Sequence, residues 1–253
     1  MSDFNRWNTT APGYTGTTVA VDAGLRAYML RVYNYMAAAV ALTGVVAWFT
    51  FQAAVTTDAS GAIVGLTSFG QTIFSGPAVI VLLLATLGLV FFISFRIQNL
   101  QYTTALTLFM LYAGLLGVMT SSIFLAYTGA SITRVFFISA ASFGALSLYG
   151  YTTQRDLSPM GSFLIMGLFG IIIASLVNIF LHSSGLQWVI SVIGVGVFAG
   201  LTAYDTQRIK EMYFDGDSYE TAGRKAIMGA LTLYLDFINM FVMLLQLFGQ
   251  QRD

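Results

Sequence analysis

LTLYLDFINMFVMLLQLFG, residues 231–249, is an apolar run long enough to cross a bilayer, and it carries a carboxylate, Asp236, inside it. On an α-helix, Thr232, Asp236, Asn239 and Gln246 fall within an arc of about 80°. The other faces of the run are Leu, Phe, Ile, Val and Met. A charged side chain at the centre of a membrane helix costs roughly 2.5–3.5 kcal/mol on insertion scales, so such groups face protein or a wet cavity. The run therefore predicts a helix whose polar side is lined by the rest of the chain.

Composition points the same way. The 253 residues are 57% hydrophobic and 9% charged, where an average soluble domain carries about 25% charge. This is the composition of an integral membrane protein. With 11 basic and 11 acidic residues, net charge offers no basis for nucleic-acid binding. The absence of cysteine excludes disulfides and thiol chemistry, and the single histidine, His182, excludes a multi-histidine metal site. Residues 1–25 lack the apolar core of a cleaved signal peptide and read as a disordered cytoplasmic tail, with residues 26–253 as the membrane domain.

Apolar runs of spanning length occur at 32–55, 77–95, 103–127, 132–152, 160–181, 187–206 and 228–249. They predict an all-α protein of seven membrane helices. One long outer loop, 56–76, separates the first two and ends at Gly76-Pro77, a helix start. Short junctions elsewhere make sequential helices antiparallel neighbours. Arg6, Arg26, Arg31, Arg96, Arg155, Arg208, Lys210, Arg224 and Lys225 then fall on one side, and Arg134 and Arg252 on the other. By the retention of basic residues on the cytoplasmic side, the N-terminus is expected inside and the C-terminus outside.

A weak internal repeat relates 121–155 to 177–208: Ile123-Phe124-Leu125 matches Ile179-Phe180-Leu181, and Thr153-Gln154-Arg155 matches Thr206-Gln207-Arg208. In that alignment Gly150 corresponds closely to Asp205.

Two carboxylates are candidates for chemistry, Asp205 in AYDTQRIK (203–210) and Asp236. Asp205, three residues before Arg208, lies about 5 Å inside the cytoplasmic mouth. Counted from Lys225, Asp236 would lie about 16 Å in; counted from Leu231, with 218–230 as a helical extension, it lies about 8 Å in and can approach Asp205. Two such carboxylates titrate as a coupled pair, which is a pH sensor. Ionised, they form an oxygen-rich spot for a transient Ca²⁺ contact. The bland alternative is a helix-end residue and an interhelical hydrogen-bonder. Arg96, in FFISFRIQNL (91–100), closes the second helix on the same side. It is either an interfacial anchor or a movable partner for Asp205, a latch.

Glycines at 114, 117, 144, 167, 170, 194, 196 and 200 provide small faces for helix contact, including a GxxxG spacing at Gly196 and Gly200. His182-Ser183-Ser184-Gly185 does not make a hydrolase, since no nucleophile motif accompanies it. The last run has no lysine for a retinal Schiff base. No enzyme is expected.

At AYDTQRIK followed by LYLDFINMF, the sequence resembles the Bax inhibitor family and looks like a bacterial member. GASITRVFFISAASFGALSLYGYTTQRDLS (129–158) fits the family's fourth-helix region, and the resemblance runs from about residue 25 onward. It implies a central last helix wrapped by the other six, and links to a pH-sensitive calcium leak and to suppression of cell death. By resemblance, Asp205 and Asp236 correspond to the family's aspartyl pair and Arg96 to its arginine latch; Thr232, Asn239 and Gln246 are, by their spacing, the polar lining of the last helix. One departure is a longer segment between the aspartates, with Asp215, Asp217 and Glu220. The expected setting is the bacterial inner membrane, with no tightly bound cofactor and Ca²⁺ as permeant ion. In such a gate, acid would loosen the arginine contact while also removing the negative charge that attracts the cation. The alternative is a non-conducting protein that modulates a membrane-anchored protease or another membrane partner through the N-terminal tail and the 208–225 loop.

Overall fold

The structure is a computed structural model and describes residues 15–59 and 62–252. Its helices are α1 (Thr15–Ala54), α2 (Ser68–Ile73), α3 (Gly76–Arg96), α4 (Tyr102–Thr120), α5 (Ile123–Ala126), α6 (Gly129–Thr152), α7 (Ser158–Leu181), α8 (Ser184–Glu211) and α9 (Tyr219–Phe248). Two short strands, β1 (Val55–Thr57) and β2 (Ile63–Leu66), pair antiparallel in the outer loop. Among the described residues, seven helical segments are long and apolar enough to cross a membrane, with α4 and α5 together forming one of them. In hydrocarbon, a backbone that bonds to itself along the segment is the viable form for such runs.

Local chemistry sets the helix ends. Ser75, Ser183 and Ser218 cap α3, α8 and α9, each hydroxyl accepting a backbone N–H of the first turn. His182 closes α7 in a left-handed conformation, φ 48°, so its place beside Ser183 is a helix-to-helix turn. The break between α4 and α5 falls at Ser121-Ser122, whose hydroxyls donate to the carbonyls of Val118 (2.6 Å) and Met119 (3.3 Å). Such back-bonding competes with the helical ladder.

Of the tail expected over residues 1–25, residues 1–14 lie outside the described residues, whereas 15–25 form the start of α1. Tertiary contact supplies what the polar sequence does not advertise. Gly24 packs against Tyr213 of the α8–α9 loop, and the Tyr28 and Tyr213 rings are 5.7 Å apart.

The last span, α9, is the most buried of the seven. It is central, and the shell around it has two depths. α1, α4, α6 and α8 pack on it directly, while α3 leans on α4 and α7 on α8. Tyr234 is the largest fully buried side chain of the core. Its hydroxyl lies 2.6 Å from that of Thr43, which donates to the Ala113 carbonyl (2.9 Å), so one small cluster joins α9, α1 and α4. At the end opposite the basic residues, the chain past α9 turns back on the α5–α6 junction. Thr128 donates its N–H to the Gln250 carbonyl (3.0 Å), Arg252 to Ala126 (3.0 Å), and Gln250 to the Ser131 hydroxyl (2.8 Å).

Close helix contact uses glycine where backbone meets backbone. A Cβ on Gly150 would stand 2.2 Å from the Ala203 carbonyl oxygen, so α6 and α8 touch there. By contrast, Gly196 of the GxxxG spacing has open space beside it. Gly150→Ala should push α6 from α8 and cost about 1–3 kcal/mol, the usual range for overpacking. Gly114→Ala, with nothing within 4 Å, should leave the melting temperature in detergent unchanged. Equal melting of the two variants would refute this close contact.

Candidate functional site

Asp205 on α8 and Asp236 on α9 are both buried, and their carboxyl groups are within side-chain hydrogen-bonding reach of each other. A carboxyl–carboxyl hydrogen bond needs one proton between the two groups. Asp236 Oδ2 is buried without a hydrogen-bond partner among the described residues. Such an atom is costly unless something polar visits it.

Besides Asp236, the charge that bears on Asp205 is that of Arg208, three residues along the same helix. Arg96 sits elsewhere. It is exposed at the end of α3 and forms no hydrogen bond or ion pair among the described residues, so the expected latch contact with Asp205 is not made in this conformation. A long side chain on the last residue of a membrane helix reaches outward to the interface. The arginine that ties this corner to α9 is Arg224, whose Nη1 donates to the carbonyls of Gln98 (2.9 Å) and Leu100 (3.2 Å).

The longer segment between the aspartates folds on itself. Lys225 pairs with Asp217 (2.6 Å) and donates to the Met212 carbonyl (3.0 Å). Glu220 accepts the Tyr102 N–H at 2.9 Å, capping α4. Asp215 accepts from the Tyr213 hydroxyl (3.1 Å), so all three added acids are occupied at the basic end, and the aspartyl pair still meets.

The remaining polar positions of α9 divide into two kinds. Thr232 and Asn239 donate to carbonyls of their own helix, Met228 (3.1 Å) and Leu235 (2.8 Å). Gln246 instead accepts from Gln187 Nε2 (2.8 Å) and Ser191 Oγ (2.7 Å) of α8. The α8–α9 seam is therefore polar at Asp236 and again at Gln246. Between these levels Met243 packs against Gly194.

A hydroxyl row runs beside the pair. Thr206 donates to the Thr202 carbonyl (2.7 Å), so it accepts from Ser147 (2.9 Å), which in turn accepts from Tyr33 (2.6 Å). It links α1, α6 and α8 beside Asp205. The spacing of Thr202, Asp205 and Thr206, which puts all three on one helical face, is the sequence signal that could have found it. Next along, Gln207 accepts the Leu157 N–H and donates to the Arg155 carbonyl, both at 2.8 Å, holding the α6–α7 turn against α8. In that turn Asp156 accepts the Ser158 N–H, which holds its carboxyl below the usual carboxylate range. Among the described residues there is no cluster of three or more His, Cys, Asp or Glu able to hold a metal ion.

The family described as "Inhibitor of apoptosis-promoting Bax1" matches residues 25–253. The chain belongs to the Bax inhibitor family. Relatives in the family include a Rickettsia prowazekii protein, 49% identical over 256 residues that cover 100% of each chain. The inner membrane protein YbhL of Escherichia coli is 48% identical over 232 residues, covering 91% of this chain and 94% of its own. A Caulobacter vibrioides protein is 41% identical over 259 residues, covering 100% of each. The chain is thus a membrane protein of this family.

Gln207→Leu leaves a buried N–H and a carbonyl of the α6–α7 turn without partners, at a cost of about 1–3 kcal/mol. The expected outcome is a lower melting temperature in detergent for Gln207→Leu than for wild type; unchanged melting would mean that the turn is held by other contacts.

Proposed function

We propose that the protein is a calcium leak path of the bacterial inner membrane, gated by protonation at Asp205 and Asp236. The observation that carries this reading is the pair itself: two buried carboxyls on neighbouring membrane helices, one with an orphaned oxygen. Intramembrane carboxylates that face protein mark ion and proton paths. With a shared proton the pair bonds α8 to α9. Without it, two like charges face each other and present oxygens to a hard cation. A lasting Ca²⁺ site takes six to eight oxygens, so two carboxylates suit a passing ion better than a held one. Asp205, one turn from Arg208, stands near the basic end, and Gln246 and Ser191 mark the other polar level of the same seam.

In this conformation Arg96 holds neither aspartate, so its part in gating is to pair with Asp205 in another state of the bundle. Inner-membrane placement is supported by the family and by likeness to an inner membrane protein. The grouping of basic residues at one end supports a cytoplasmic N-terminus.

Ca²⁺ flux into liposomes holding the purified protein, read from about pH 6 to 8, tests the gate because coupled carboxyls govern it. Wild type should conduct above empty liposomes with a pH-dependent rate. Asp205→Asn or Asp236→Asn, each close in shape, should flatten that dependence. Liposomes that conduct no better than empty ones would remove the leak reading and leave a non-conducting partner of a membrane protease or other complex. Orientation has its own check: a reporter fused after residue 253 should be active outside the cytoplasm, and cytoplasmic activity would reverse the topology.

A further inference from the structure

We infer that the cleft between α1 and α6 at the basic end is a binding site for one anionic phospholipid of the cytoplasmic leaflet. The site stands independently of any leak activity. α1 and α6 flank α9, and between them at this end lies a cavity of about 480 Å³, lined by Arg26, Met29, Leu30, Phe143, Gly144 and Leu148 among others. That volume falls within the range of ligand-holding clefts. It is bounded by membrane-spanning helices, so the amphiphile at hand is lipid.

Three observations select the kind of lipid. First, two of the three hydroxyls in its wall are spent, since Tyr33 donates to Ser147 and Ser147 to Thr206, leaving that of Tyr151. What remains facing the cavity is mostly apolar, a surface for an acyl chain. Second, Arg26 lines the same cavity, is exposed, and has no hydrogen-bond or ionic partner among the described residues. An unpaired guanidinium takes a phosphate in two-pronged contact. Third, a second basic group, Lys210, stands behind the wall on Tyr151 without itself lining the cavity. Lys210 lies 5.7 Å from the centroid of the Tyr151 ring, which also lines the cavity, and donates to the Tyr151 carbonyl at 2.9 Å. Among the described residues, no acidic side chain lines it. Basic pockets between membrane helices on the cytoplasmic side hold anionic headgroups.

The outer half of the protein supplies an internal comparison. There a second cavity, of about 220 Å³, is lined by residues of α1, α6 and α9 such as Val40, Ala47, Ile132, Phe136 and Phe241, with no charged side chain. It offers an acyl chain room and a headgroup nothing. Of these two cavities, only the one between α1 and α6 can select for charge.

Native mass spectrometry of the full chain, released from detergent with phosphatidylglycerol or phosphatidylcholine of matched chains, reads the site directly. Wild type should retain one phosphatidylglycerol with a several-fold preference over phosphatidylcholine. Arg26→Gln, at an exposed position, should bring the two lipids to equal retention. Gly144→Leu fills the cavity from a position with nothing within 4 Å of its Cβ, so the fold is kept, and retention of phosphatidylglycerol should fall several-fold. Glycerol phosphate, a headgroup without chains, should not displace the lipid. Equal retention by wild type, a preference that survives Arg26→Gln, unchanged retention in Gly144→Leu, or displacement by glycerol phosphate would each overturn the assignment.

Discussion

A carboxyl group inside a membrane helix cannot be left facing lipid, and the whole arrangement follows from satisfying that demand twice. Asp236 needs protein around it, so the helix that carries it becomes the centre of the bundle. Asp205 meets it from α8 and shares the burial. Each aspartate is the other's polar surrounding. Neither would be tolerable alone at that depth, and together they make α8 and α9 an obligatory pair. The outer spans α3 and α7, apolar on nearly all faces, carry no such demand and can lie at the edge.

The central helix is also held by contacts of quite different character along its length. At the basic end they are charged and partly wet: Lys225 to Asp217, Arg224 to the turn after α3, Glu220 to the start of α4. Such contacts are screened by salt and individually modest. Mid-helix, Tyr234 and Thr43 form a dry, neutral tie in the core. At the far end, backbone pairing with residues 126–131 takes over. The strength of the tether thus rises from the basic end toward residues 250–252.

Much of this was legible in the sequence. Seven apolar runs gave seven spans, because length and hydropathy are sufficient where every backbone group must bond within its own helix. The carboxylate inside the last run pointed to a helix lined by the others, because a charge at that depth faces protein and not lipid. What stayed hidden depended on tertiary contact. The α1 extension over 15–25 has no apolar pattern, and Tyr213, far along the chain, supports it. Arg96 had a charge in a suggestive place, but charge does not say which way a long side chain reaches, and Arg224 holds that corner. The hydroxyl row through Tyr33, Ser147 and Thr206 spans three helices and has only a local trace, the spacing of Thr202, Asp205 and Thr206. Gly150, aligned in the repeat with Asp205, turned out to matter as a gap, through which α6 reaches the backbone of α8 at Ala203.

The pairing of residues 250–252 with the α5–α6 junction has a mechanical consequence. It ties down one end of α9, so a tilt of that helix would have its fulcrum at residues 250–252. Asp236 sits about 20 Å from that fulcrum and Tyr219 about 45 Å from it. A tilt of about 5° about the fulcrum would carry the Asp236 carboxyl by roughly 2 Å, enough to break a hydrogen bond, and the helix start by roughly 4 Å. The geometry multiplies small motions toward the basic end and silences them at the other.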